Sequence, residues 1–118
     1  MQDLKKRHTQ FAIDVATLIL QRPKSVINTA YSNQLIRSSS SPGTNYRAAC
    51  RAKSMKDFIN KLKIVEEELD ESVYFLELLH HFNPDHRHII DELTKEGNEL
   101  LAITITSIKT ARSKLRRS

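Results

Sequence analysis

Four histidines stand close together at His80, His81, His86 and His88, in the spacing HHxxxxHxH, with Asp85 among them. Imidazoles and a carboxylate so near one another could ligate a divalent cation, or make a turn that responds to pH. A simpler physical origin fits better. His80 and His81 close a predicted helix, where cations suit the negative end of the dipole, and His86 and His88 line a solvated turn. No metal or other cofactor is expected. Glu67 and Glu71 lie one helical turn apart and could act as acid and base or hold a metal. Di-metal bundles, however, place Glu-x-x-His motifs on paired helices, and the chain offers no such pair of motifs. The serine run at 38–41 has no histidine–acid partner placed by sequence to activate a nucleophile. Small residues in a helix serve close packing instead. Arg37, Ser41 and Asn45, spaced four apart, are expected to reach acids such as Glu67 or Glu71 in a buried polar network that fixes register. The expectation is a protein that is not an enzyme.

Positioning these side chains falls to few, long elements, because only Gly43, Gly97, Pro23, Pro42 and Pro84 supply the residues that most turns need. Periodicity predicts four helices. The first covers residues 3–21, with Leu4, Phe11, Val15, Leu18 and Ile19 on one face, and Pro23 stops it. The second starts near Val26 or Asn28, carries Ile27, Ala30, Tyr31 and Leu35, and reaches about residue 52. Pro42 should kink or break it, since proline removes a helical hydrogen bond and clashes with the preceding turn. The third opens on Ser54 and Asp57, which read as a capping box. Phe58, Leu62, Val65, Leu69, Ser72, Leu76 and Leu79 then alternate at spacings of four and three, the seam of a helix bundle. Asn83-Pro84 ends it and starts the fourth, from Pro84 to about Leu115, with Ile90, Leu93, Gly97, Leu101, Thr104, Ile108 and Ala111 inward. The ITIT run at 103–106 alternates like a strand but lies inside this longer pattern. Short connections make the whole an all-α, antiparallel up-down-up-down four-helix bundle, one domain over residues 1–118 that buries roughly two thirds of its unfolded surface.

Nineteen Lys and Arg against fourteen Asp and Glu leave a net charge of +5, which alone decides little. Antiparallel topology sharpens it. The chain start, the connection between helices two and three, and the chain end would share one pole. Lys5, Lys6, Arg7, Arg47, Arg51, Lys53, Arg112, Lys114, Arg116 and Arg117 fall there, within a group of fourteen of the nineteen basic residues opposed only by Asp3 and Asp57. Helices favour cations at their C-termini, which accounts for residues 112–117, but Lys5 to Arg7 sit against the dipole. A phosphate backbone is the obvious anion, so RNA or DNA bound without sequence reading is one expected partner. Few aromatics accompany the pole, Tyr46 being the nearest, which argues against base-specific readout. A second apolar stripe, Ile13 and Leu20 with Ile64, Tyr74, Phe75 and Leu78, points away from the seam and predicts burial against another copy of the chain.

The lone Cys50 offers no disulfide framework, which favours a reducing compartment. The start MQDLKKRHTQ lacks the apolar run of a secretory signal. No segment approaches the roughly 20 apolar residues of a membrane span. A cytoplasmic protein with no membrane association is expected.

The central stretch resembles a known family. The residues that carry the resemblance are Gln34-Leu35-Ile36-Arg37-Ser38, Ser41-Pro42-Gly43-Thr44-Asn45-Tyr46-Arg47-Ala48, Arg51-Ala52-Lys53-Ser54, Asp57-Phe58-Ile59, Leu62, Ile64-Val65-Glu66-Glu67-Glu68, Asp70-Glu71 and Leu76-Glu77-Leu78-Leu79. They are similar to the four-helix-bundle proteins first noticed in intervening sequences of bacterial 23S ribosomal RNA genes. Pro42 departs from the aliphatic residue usual there, and Thr44 from the usual alanine. The resemblance implies an up-down-up-down bundle that assembles into a ring-shaped homopentamer, with no established biochemical role. A distant bundle relative, the accessory protein of diversity-generating retroelements, forms a basic pentamer that binds nucleic acid and a reverse transcriptase. A nucleic-acid partner is therefore consistent with the resemblance, and a protein partner, on the acidic pole or in a central channel, is the alternative.

Overall fold

The computed structural model describes residues 3–117. Four helices account for nearly all of them: α1 Leu4–Gln21, α2 Val26–Cys50, α3 Met55–Phe82 and α4 Arg87–Arg117, with a 3-10 turn at Pro84–His86 ahead of α4.

Local chemistry sets most of these limits. The Asp3 carboxylate accepts from the backbone N–H groups of Lys5 (3.0 Å) and Lys6 (3.4 Å), and the Ser25 hydroxyl from that of Asn28 (3.0 Å). The Ser54 hydroxyl accepts from Asp57 N–H (3.0 Å), so three helices open on an acceptor that satisfies a first-turn donor. Asp57 reaches back one residue further than a capping box requires, its carboxylate accepting from Lys53 N–H at 3.4 Å. Arg22 precedes Pro23 and takes extended backbone, ψ 152°, which ends α1. After α3, the Arg87 guanidinium donates to the carbonyls of His80 (2.9 Å) and His81 (3.2 Å), covering acceptors that the last turn leaves open.

The contacts between consecutive helices run in opposite senses. His8 packs on Tyr46 while Arg22 bonds Ser32. Asn28 bonds Asn83 while Ser38 bonds Ser72. Val73 lies against Gly97 while His80 meets Asp91. One number falls as its partner rises, so each helix is antiparallel to the next. α4 returns beside α1, where Arg7 meets Glu96, and the whole measures 52 × 21 × 20 Å.

The main core joins Phe11, Val15 and Leu18 of α1, Leu35 of α2, Val65, Leu69, Leu76 and Leu79 of α3, and Ile90, Leu93 and Leu100 of α4. A second cluster, Ala49, Ile59, Leu62, Ile108 and Ala111, fills the end nearer the α2–α3 connection. Two seam positions differ from the sequence pattern: Ile59 is buried where Phe58 was expected, and Leu100 where Leu101 was. The larger difference is in α2. Ile27 and Ala30 are exposed, and the buried residues are Asn28, Ser32, Leu35, Ser38, Ser39, Pro42 and Ala49. Small polar side chains occupy the inward face, so a search for apolar periodicity misses it. Their size lets α2 approach α3, its most extensive contact, and their hydroxyls stay satisfied. Ser72 donates to Ser38 at 3.0 Å, and Ser38 donates to the Leu35 carbonyl at 3.4 Å.

Pro42 does not break α2, which is helical without interruption from Val26 to Cys50. The proline removes the hydrogen bond that would reach the Ser38 carbonyl, and its ring is fully buried. At the far end, Asn28 and Asn83 exchange both amide hydrogen bonds, at 2.8 and 2.9 Å. Asn28 also donates to the Pro23 carbonyl and Asn83 to that of Leu79, so both buried amides are paired.

At Gly97, α4 passes close to Val73 of α3 and Phe11 of α1. A Cβ there would lie 3.1 Å from Val73 Cγ2 and 3.4 Å from Phe11 Cζ. Gly97→Val should lower the unfolding free energy by about 2 kcal/mol through overpacking, read from urea denaturation. Unchanged stability would show that α4 has slack at this crossing.

Candidate nucleic-acid interface

One pole of the bundle gathers cations from three separate segments. Lys5 and Lys6 of α1 line the same groove as Arg47 of α2. Lys53, in the α2–α3 connection, and Lys114 of α4 line another. Arg51, Arg112, Arg116 and Arg117 are exposed at the helix ends around them. None of these nine has a carboxylate within ion-pair distance among the described residues. Arg112 to Arg117 also lie at the C-terminal end of α4, where positive charge is favourable.

Arg7, expected to belong to this set, does not. Its guanidinium grips Glu96 with Nε at 3.0 Å and a terminal nitrogen at 2.5 Å, and reaches Glu99 at 3.4 Å. The paired hydrogen bond to Glu96 raises its pKa further. A half-buried arginine so engaged ties α1 to α4 and is not offered to a phosphate. Lys61 is likewise held by Asp57 at 3.1 Å, and that bond, together with the Lys53 N–H, holds the Asp57 carboxyl below the usual range.

Beneath the pole lies His8, whose burial the apolar pattern of α1 did not signal. It is 2 % exposed and stacks against Tyr46 with ring centroids 5.1 Å apart. Its Nδ1 is buried without a hydrogen-bond partner among the described residues. Burial, and then the charge of Arg7, push its pKa down to about 4. Tyr46 is pushed up to about 12 by burial and its hydrogen bond with Cys50. Both rings are neutral at pH 7 and contribute packing.

The other expected sites fare differently. Arg37 pairs with Glu68 and Glu71, and Glu67 is exposed outside the group. The network is not buried, since the Arg37 side chain is 50 % exposed. The four-residue spacing carries Arg37 to the outside of α2, and Glu68 stands one position nearer the α2 side of α3 than Glu67. Asn45 donates to the Ser41 hydroxyl and carbonyl at 3.0 Å, a local bond within α2. His80 Nε2 lies 3.1 Å from Asp91, and His88 Nε2 3.2 Å from Glu92. One Glu-x-x-His run does occur, Glu77 to His80, but Glu77 is exposed and His80 faces Asp91. No cluster of three or more His, Cys, Asp or Glu capable of holding a metal occurs among the described residues. Of the second apolar stripe, Ile13, Leu20, Ile64 and Tyr74 are exposed, Leu20 by 86 %. Phe75 and Leu78 are half-buried, Phe75 packing on the core and 6.1 Å from the Tyr31 ring. Exposed Phe82 lies 6.2 Å from the Tyr31 ring, and Ile27 is exposed as well. Sequence periodicity missed Phe82 because it ends a helix, where inside and outside are poorly defined.

The sequence matches the family described as 23S rRNA-intervening sequence protein over residues 2–106. The chain belongs to that family. A solved structure similar to it is a protein of unknown function from the S23 ribosomal protein family of Bacteroides thetaiotaomicron, determined at 1.70 Å. The two are 32% identical with a TM-score of 0.79, over 91% of this chain and 99% of that one. No curated protein is significantly similar. The all-helical fold is thus that of the family, and no helix among the described residues of this member is long and apolar enough to cross a membrane.

His8 makes the family member's stability depend on pH. The unfolded imidazole takes a proton near pH 6.5 and the folded one only near pH 4, so the unfolded state binds more protons between those values. Stability from this group is complete above about pH 6.5 and falls on acidification by about 1.4 kcal/mol per pH unit through that window. Denaturation midpoints measured between pH 7 and 4 should show this slope, reduced in His8→Phe. An identical slope in that variant would place the acid sensitivity elsewhere.

Proposed function

We propose that this protein is a non-enzymatic, homo-oligomeric helical bundle, a homopentamer, that binds RNA or DNA without sequence preference through its basic pole. The observation that carries the proposal is the set of nine exposed, carboxylate-free cations drawn to one pole from α1, the end of α2, the α2–α3 connection and α4. Dispersed Lys and Arg neutralise phosphates and release counterions, which needs no base readout. Cyclic assembly would repeat the pole around a ring and multiply its field. The oligomer is supported by the exposure of Ile13, Leu20, Ile64 and Tyr74, because large apolar side chains left in water favour burial against another copy.

Affinity for nucleic acid should fall steeply with salt. Changing Arg112, Lys114, Arg116 and Arg117 together to glutamine should reduce the log–log salt slope by roughly 3 per protomer and abolish measurable binding at physiological salt. Retained binding in that variant removes the basis of the proposal. Light scattering at micromolar concentration should give a mass several times the 13.6 kDa of the chain, and Leu20→Glu with Tyr74→Glu should lower it. A monomeric wild type would contradict the assembly.

A protein partner is the second reading, favoured by the aromatic surface of Tyr31, Tyr74, Phe75 and Phe82 at the opposite end from the cations. Capture that survives nuclease and moderate salt would mark that reading.

A further inference from the structure

The basic pole holds more than charge. Two grooves flank the start of α3, and Met55, Phe58 and Lys114 line both. On one side lie Ala49 of α2 and Ala52 and Lys53 of the α2–α3 connection. On the other lie Thr106, Ser107 and Thr110 of α4. The Ser107 hydroxyl donates to the Ile103 carbonyl at 2.9 Å, which leaves its oxygen able to accept. No acidic side chain lines either groove. The nearby Asp57 carboxylate is engaged by Lys61 and the Lys53 N–H. A half-buried phenyl ring and a thioether thus stand between two lysines, with three hydroxyls at one edge.

We infer that this double groove is a slot for an unpaired base of single-stranded nucleic acid, stacked on Phe58 and Met55, with Lys53 and Lys114 on the flanking phosphates. The inference rests on the proposed binding function and adds the form of nucleic acid preferred. Charge complementarity selects an anionic occupant, and the apolar floor selects one with a flat face to bury. A paired base in a duplex keeps its faces within the stack and cannot present one to a side chain. An unpaired base can, and stacking on an aromatic ring tolerates any base. The hydroxyls of Thr106, Ser107 and Thr110 can meet polar base edges without imposing a sequence.

The test compares wild-type protein and Phe58→Leu, which keeps an apolar side chain but removes the ring. Each is titrated with an oligonucleotide as single-stranded RNA, as single-stranded DNA, as duplex, and as an abasic strand of equal phosphate count. Wild type should bind both single strands about tenfold more tightly than the duplex or abasic strand. Phe58→Leu should lose that preference while keeping the same salt slope and duplex affinity. The abasic comparison uses wild-type protein alone, so it stands even where the variant fails to fold. Equal, salt-sensitive affinity for all four ligands would overturn the slot and leave a phosphate-binding pole intact. An acidic peptide of matched charge that competes as well as the single strand would also overturn it. No salt-sensitive binding of any nucleic acid would overturn both the slot and the function beneath it.

Discussion

The length of the connections constrains the structure more than any single contact. α2 spans 25 residues and α3 28, which at about 1.5 Å per residue makes each roughly 40 Å long. The four residues between α1 and α2, and the four between α2 and α3, reach about 14 Å when fully extended. A chain so tethered can bury its next apolar stripe against the preceding one only by doubling back. The order of sequence then fixes the order of poles. The start of α1, the α2–α3 connection and the end of α4 come together, bringing with them the basic runs at residues 5–6, 47–53 and 112–117. A modest net charge becomes a local field through chain geometry alone.

The two ends of the bundle are finished in different ways. At one, the connections are locked by side-chain amides. Asn28 and Asn83 satisfy each other and two backbone carbonyls, and Arg87 covers the last turn of α3. At the other, exposed lysines and arginines face no carboxylate, and the packing beneath them is adjusted by Arg7, which leaves the charged set to hold Glu96, and by His8, which is buried neutral. The first end is closed by hydrogen bonds, while the second is left electrostatically unsatisfied.

Much of the fold was legible because α1, α3 and α4 bury apolar residues at helical spacing. Leu62, Val65, Leu69, Ser72, Leu76 and Leu79 are buried as that spacing requires. Ser54 and Pro23 act where their backbone preferences place them. α2 was legible only in part. Its inward face is built from Asn28, Ser32, Ser38 and Ser39, and hydrophobicity carries no signal where closeness of approach, not apolar area, is what the face supplies. The kink or break expected at Pro42 does not interrupt α2, which stays helical from Val26 to Cys50 around a fully buried proline ring. Of the candidate interface, the exposed lysines and arginines were readable as charge. That Arg37 meets an acid of α3 was readable from its spacing, and Glu71 is one of its partners, with Glu68 in place of Glu67. The commitment of Arg7 was not, since its partner lies 89 residues away.

The sequence by itself determined that the chain is helical, where its helices start and stop, and that its basic residues lie at segment ends. These properties depend on periodicity, capping and proline, all of which act over a few residues. Tertiary structure decided which cations are free. Arg7 and Lys53 carry the same charge in the sequence, yet one is held against α4 and the other lines an open groove beside Phe58. The difference arises because an ion pair depends on distance in space, which is set only when the helices have packed.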